Sequence, residues 1–324
     1  MCLRLFQGIV LLFYVLLSSK AQAHDSIPPN NMRNSTASHV RVVLFPSSLT
    51  FAPPVASPFE PRFGITKNFS NGSLLAEIGN TIEILQIARV GQGRTNPPKG
   101  DAIGIAAEFF ARTYVTGWEG LHLQVDATDG FFGGNIAWSR SIQQGTIAAR
   151  LRFIHHSAHL LDGHWEAASG RWKDGRAPTP WTKDQFELLG SFQQDIWRAY
   201  IGMSYATKVR PSSLKPFSGS IGFEIFPATN PSHPIRPFLA LDLRMDGGAV
   251  LDQNTRTIHG TESWVGASSL LLGASVGPER KQSIRLFLLL HTGQYPLSEY
   301  SDLRTPYVGA GFDFQYYSLF QAED

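Results

Sequence analysis

The stretch IGIAAEFFARTYV, residues 103–115, decides how this chain folds. Ile103, Ile105, Ala107, Phe109, Ala111 and Val115 share one parity, and Glu108 and Arg112 take the other. Successive side chains of a strand point to opposite faces, so this is a strand with one apolar and one charged face. The pattern recurs. Leu239, Leu241, Leu243 and Met245 oppose Asp242 and Arg244; Ile284, Leu286, Leu288 and Leu290 oppose Arg285 and His291; Val308, Ala310, Phe312, Phe314 and Tyr316 oppose Asp313 and Gln315. A soluble sandwich would turn the apolar face inward, whereas a membrane barrel turns it to lipid and encloses the charges. Alternation fits both, and the connections separate them.

Twelve strands are predicted, near 81–90, 103–115, 120–126, 131–139, 145–160, 184–192, 196–206, 217–226, 236–245, 263–276, 283–292 and 306–320. The gaps 91–102, 161–183, 207–216, 246–262 and 293–305 are long and polar, while 116–119, 140–144, 193–195 and 277–282 are short. Two gaps break the rule: 127–130 is short and 227–235 is long. Short turns at one rim and long loops at the other are the mark of a transmembrane barrel. The sequence therefore predicts an all-β, antiparallel twelve-strand barrel over residues 81–324, with both ends on the short-turn side. Glu108, Arg112, His122, Asp126, Arg150, Arg152, Arg198, Glu224, Asp242, Arg244, Arg285 and Asp313 take the inward parity. Opposite charges in so narrow a lumen are expected to pair and fill it.

Upstream, residues 44–64 carry five prolines. Proline removes a ladder donor, so residues 24–80 are expected to form a periplasmic arm or partial plug. The chain opens MCLRLFQGIVLLFYVLLSSKAQAHD. A basic flank, a short apolar core and Ala21-Gln22-Ala23 read as a signal peptide over 1–23. Cys2, the one cysteine, lies in that leader, so disulfide and thiolate chemistry are excluded downstream. A net charge of +2 without a Lys/Arg cluster argues against a nucleic-acid partner.

The chemistry gathers in RLRFIHHSAHLLDGH, residues 150–164. His155 and Ser157 are two apart, hence on one face of a strand and about 6.6 Å apart at Cα. They share parity with Ile147, Ala149, Leu151 and Phe153, so they are expected to face lipid, with Arg150, Arg152 and His156 facing inward. A base within reach of a hydroxyl is what activates a serine nucleophile. Metal binding by His155 and His159 is disfavoured, because four residues of strand separate them by about 13 Å. His159, Asp162 and His164 could converge around a turn.

Three stretches, LFP…PFEPRFG, WSRSIQQGTIAARLRFIHHSAHLLDG and TPYVGAGFDFQYY, resemble a family of uncharacterised bacterial outer-membrane-type proteins, a domain of unknown function, over residues 44–318. Its members carry a His-x-Ser-x-His-Leu-Gly-Asp-Glu type motif, which stands here as His155 to Gly163, with Leu161 and Gly163 departing from the glycine and glutamate. The resemblance implies a barrel in the bacterial outer membrane, with membrane lipid and the outer-membrane assembly machinery as partners. The final YYSLF resembles the C-terminal signal that such machinery reads. His155-x-Ser157 is also similar to the strand motif of outer-membrane phospholipase A and the lipid A deacylase barrels. That likeness implies His155 as base, Ser157 as nucleophile and a third polar residue orienting the imidazole; Asp184 or Glu187 on the following strand takes that part if the register brings either to His155. His156, His159 and Asp162 are the expected substrate-binding residues. No cofactor is expected, a divalent cation being left open. The alternatives to an acyl-ester hydrolase are a non-catalytic structural or interaction barrel and a narrow transport barrel.

Overall fold

A computed structural model describes residues 39–90, 100–118, 122–227, 234–277 and 283–315. The proposed signal peptide and the terminal YYSLF lie outside them. The strands are β1 (His39–Leu44), β2 (Phe63–Asn68), β3 (Leu74–Val90), β4 (Gly100–Trp118), β5 (His122–Ile142), β6 (Gly145–Leu160), β7 (Trp165–Glu166), β8 (Arg171–Trp172), β9 (Trp181–Gln194), β10 (Trp197–Arg210), β11 (Phe217–Ile225), β12 (Ile235–Leu251), β13 (Ile258–Val276), β14 (Ser283–Gly293) and β15 (Tyr307–Gln315). Antiparallel pairing runs in the order β3-β4-β5-β6-β9-β10-β11-β12-β13-β14-β15-β2, and β2 returns to β3. This is a closed twelve-strand barrel. β1 pairs with the far half of β3, beyond β2, so one strand position is shared by two segments. β7 and β8 form a small separate hairpin.

The count of twelve agrees with the sequence, yet two of its parts do not. The strands expected at 120–126 and 131–139 are one strand, β5. The missing strand is β2, ahead of residue 81, and β3 also begins before it. Fusing the two strands shifts the early parity, so the paired Val90 and Gly100 lie at the opposite rim from the 161–180 connection. The Thr128-Asp129-Gly130 sequence that reads as a turn stays in the ladder, Asp129 opposite both Arg112 and Ala158. One rim carries the tight β5–β6 and β9–β10 turns together with His39 and Gln315. The other, here called the loop rim, carries the 161–180 and 294–306 connections.

The faces are inverted relative to a soluble protein. Phe109, Leu151, Leu188, Ile201, Leu272 and Leu286 stand exposed outside. Arg112, Arg150, Arg152, Arg198, Glu108, Glu224, Asp242, Arg285 and Asp313 are buried inside. A closed barrel leaves no edge strand, and apolar-out alternation is what a bilayer demands of it. The fold is consistent with an outer-membrane barrel. Among the described residues no helix is long and apolar enough to cross a membrane.

Residues 49–62 occupy the lumen, and their prolines explain how. With ladder pairing denied them, their backbone groups are met by charged side chains of the wall. Val55 N–H donates to Glu224 (2.6 Å) and Thr50 N–H to Glu83 (2.6 Å). Arg198 donates to the carbonyls of Ala52 (2.7 Å) and Pro53 (3.1 Å). Glu60 bridges Arg150 (2.5 Å) and Arg152 (3.5 Å), which also hold Glu187 at 2.8 and 3.0 Å. The inward charges pair, as buried charges must.

Candidate functional site

β6 sorts its residues cleanly. Ile147, Leu151, Phe153 and His159 are exposed, Ala149, His155 and Ser157 half-buried, and Arg150, Arg152, His156 and Leu160 buried. His155 and Ser157 therefore face outward. The register sets His155 between Phe132 on β5 and Asp184 on β9. His155 Nδ1 lies 2.5 Å from Asp184 Oδ1. The carboxylate can only accept, so Nδ1 donates, and in the neutral imidazole Nε2 is then the lone-pair nitrogen. The Phe132 ring covers the imidazole at 4.6 Å between centroids. Side-chain exposures of 29% and 22% leave the pair accessible rather than sealed.

Ser157 follows two residues along the same face, between Gly130 and Thr182. Among the described residues its hydroxyl has no hydrogen-bond partner, and neither has Thr182 Oγ1. Gly130 leaves the hydroxyl open on that side: even a Cβ there would only make ordinary contact with Ser157 Oγ, at 3.7 Å.

The surroundings fix the level of the site on the wall. Phe153, Phe186, Tyr205 and Phe217 align across β6, β9, β10 and β11, and Phe217 touches Trp264 at 6.1 Å. This aromatic row lies one step below His155, Asp184 and Lys208, which form a polar row nearer the loop rim. Near the other rim Trp197 packs on Phe192 and Phe223. Aromatic side chains toward both ends of an apolar band are consistent with an outer-membrane barrel.

The other expected residues do not join. Glu187 shares β9 with Asp184 but has the opposite parity, so it faces the lumen against Arg150 and Arg152 and cannot orient His155. His156 also points inward and cannot meet a substrate bound outside. Its Nε2 lies 3.0 Å from Asp129 and 3.2 Å from Ser298, and its ring stacks on Phe131 at 3.9 Å. His159 is exposed outside, one step beyond Ser157. Asp162 is exposed in the rim loop, where it accepts the Gly163 N–H (2.9 Å). His164 turns in toward Asp126 (3.8 Å) and Tyr300 (3.3 Å), away from Asp162. Among the described residues no three His, Cys, Asp or Glu side chains converge on a metal position.

Sequence reasoning missed Lys208 and Arg210, which it placed in a loop. Lys208 Nζ is 3.8 Å from Asp184 Oδ2. It also missed the Asp129–Ser298 contact, which joins residues 169 positions apart and has no local signal. Comparison with models of known protein families finds no match, and comparison with curated proteins finds none either.

Proposed function

We propose that this barrel is an interfacial acyl-ester hydrolase of the bacterial outer membrane, with Ser157 as nucleophile, His155 as base and Asp184 as the group that orients it. The observation that carries the reading is the His155 Nδ1–Asp184 Oδ1 contact of 2.5 Å on the outward face, with a free serine two residues further on. An acid on Nδ1 selects the tautomer whose Nε2 can take a proton, the arrangement that serine hydrolysis needs. The resemblance of His155-x-Ser157 to lipid-hydrolysing barrels points the same way.

In the proposed reaction Ser157 Oγ bonds to the ester carbonyl carbon while its proton passes to His155 Nε2. Asp184 stabilises the imidazolium. The carbon–oxygen bond to the alcohol then breaks, and the imidazolium returns the proton to the leaving oxygen. Water repeats the sequence on the acyl-serine, giving the free acid and restoring the enzyme. Strand N–H groups are committed to the ladder, so a donor for the oxyanion must be a side chain. Thr182, directly across from Ser157, carries a buried hydroxyl without a partner among the described residues, which serves once its side chain turns outward.

Position favours lipid as substrate. The site lies about 10 Å from the end of β6, between an aromatic belt and the loop rim, where the ester region of a leaflet would be. The lumen, occupied by residues 49–62 and their ion pairs, gives a transport reading no support. A cavity of about 50 Å³ beside His156 and Ser298 has room for a few waters. A second reading, a non-catalytic barrel with a polar rim, is favoured by the absence of a Ser157–His155 hydrogen bond. Purified barrel in mixed lipid–detergent micelles, assayed for fatty-acid release with and without divalent cations, separates the two. Release that vanishes in Ser157→Ala and His155→Ala supports the hydrolase. Equal release from all three proteins, or none from a folded wild type, favours the second reading.

A further inference from the structure

β10 breaks its own alternation at one place. Arg198, Tyr200, Ser204 and Ala206 are buried inside, so Lys208 and Arg210 would by parity face the lumen too. They do not. The ladder slips between Ala206 and Lys208, leaving Thr207 as an extra residue, and Lys208 comes into register with the outward Asp184. A bulge re-aims the side chains that follow it. This one is pinned by Thr207 Oγ1, which donates to the Asp184 carbonyl (3.1 Å). Its effect is to turn two cations out of the lumen and onto the lipid-facing wall beside the His155–Asp184 pair.

Those cations are not satisfied within the protein. The Lys208 side chain is 80% exposed, and Asp184 meets it only at 3.8 Å through the oxygen that His155 does not use. Arg210 is exposed, and among the described residues it has no acidic partner. A cation on the outer wall of a membrane barrel is tolerated near the interface and grows costly toward the midplane. There the anions at hand are lipid phosphates. The opposite flank of the site is different: Phe132 and Phe109 stand outward on β5 and β4 and carry no charge. The site thus has a cationic side and an aromatic side.

Resting on the hydrolase reading, we propose that Lys208 and Arg210 bind the phosphate of the substrate, and that the substrate class is a lipid bearing its phosphate on the carbon next to the esterified one. Two strand spacings, about 10 Å, separate the backbones of β6 and β10. Lysine and arginine stems span most of that gap, so a phosphate held by them sits within a few bonds of a carbonyl at Ser157. A glycerophospholipid meets this requirement, as does a phosphorylated, ester-acylated glucosamine lipid.

The test compares wild type with Lys208→Ala/Arg210→Ala and with Lys208→Arg on three substrates of matched chain length: a diacylglycerol, a diacyl glycerophospholipid and a phosphorylated acyl-glucosamine lipid. The double variant should lose about tenfold or more in kcat/KM on whichever phosphate-bearing lipid is the substrate, the scale of a lost charge-assisted hydrogen bond. On diacylglycerol it should match wild type, and Lys208→Arg should retain turnover on the phosphate-bearing lipid. Equal losses on all three substrates would overturn the proposal, because they would trace to a disturbed Asp184. So would unchanged kinetics on all three. Native mass spectrometry supplies a readout free of turnover: wild type should retain one of the phosphate lipids in preference to diacylglycerol, and the double variant should not. If wild type hydrolyses nothing yet shows that preference, the hydrolase reading fails and the phosphate site stands. If it shows no preference, the phosphate site fails.

Discussion

His155 and His156 are neighbours in sequence and stand on opposite sides of one sheet. Each has an aspartate on an adjacent strand and a serine close by: Asp184 and Ser157 outside, Asp129 and Ser298 inside. By composition the two sets are the same triad. By connection they are not. Outside, the carboxylate takes Nδ1 and Nε2 remains open. Inside, Asp129 Oδ2 and Ser298 Oγ crowd the same nitrogen, at 3.0 and 3.2 Å, and Ser298 donates its own proton to Asp129 (2.9 Å). Ser298 N–H also donates to that oxygen (3.0 Å). The inner hydroxyl is spent on holding a loop, while the outer one is spent on nothing. Which atom meets which, rather than which residues are present, separates a site from a strut.

That contrast makes its largest prediction about activity. Ser157→Ala should reduce lipid hydrolysis to background, the scale being about 10⁶ in a well-studied serine protease. Ser298→Ala should leave turnover within about twofold, since an inner hydroxyl has no route to lipid. Fatty-acid release from both variants, side by side, checks this. The comparison breaks if Ser298→Ala is the inactive one.

A second prediction separates the two carboxylates of β9. Asp184→Asn should keep the fold but lose about 10²- to 10⁴-fold in kcat, because an amide can present its N–H to Nδ1 and favour the wrong tautomer. Glu187→Gln should keep kcat and instead lower stability, by up to about 3–5 kcal/mol, since Arg150 and Arg152 lose a buried counter-charge. Hydrolysis rates, with denaturant unfolding in detergent, tell them apart. A drop in kcat from Glu187→Gln with stability intact would mean that parity on β9 has been misassigned.

How far the sequence carries depends on range. Parity along β6 is local, so the outward aim of His155 and Ser157 and the inward aim of Arg150, Arg152 and His156 could be read from alternation alone. The inward charges of β4, β12, β14 and β15 followed for the same reason. Register between strands is not local. Whether Asp184 or Glu187 meets His155 depends on the length of the 161–180 connection, which no pattern fixes. Turn chemistry misled at Thr128-Asp129-Gly130, where Asp129 sits in a long strand because Ser298 and His156 bind it from the lumen. The bulge at Thr207 hid Lys208 and Arg210, since one extra residue reverses the parity of all that follow.

The third prediction sharpens the strut. Removing the Asp129 carboxylate by Asp129→Asn should loosen the 294–306 loop by about 1–3 kcal/mol, the scale of a buried polar group left poorly satisfied. Hydrogen exchange at the loop amides would report it, and lipid hydrolysis should be unaffected. Loss of hydrolysis with the loop still protected would tie the inner set to the chemistry after all.

The smallest effect is a pH dependence in the same loop. Glu299 sits in the turn Ser298–Tyr300, fully buried. One carboxyl oxygen accepts the Thr179 N–H (3.0 Å), and among the described residues the other has no partner. Burial pushes its pKa up from 4.5 to about 7, the Thr179 bond offsets part of this, and the Asp129 charge adds to the rise while Arg176 opposes it. A carboxyl whose pKa is higher folded than unfolded binds more protons in the closed loop. Its contribution is therefore present in full below about pH 4.5 and is lost as pH rises through about 7. The Tyr300, Ser301 and Leu303 amides, which donate within the loop, should be better protected at pH 5 than at pH 8 after correction for intrinsic exchange. His156 and Asp129 lie nearby on the wall, so the control is Glu299→Gln, which removes only the Glu299 charge. That variant should show equal protection at both pH values, close to that of wild type at pH 5. Wild-type protection that instead rises with pH would mean that Glu299 is held ionised, and that the inner set is balanced by charge rather than sealed by burial.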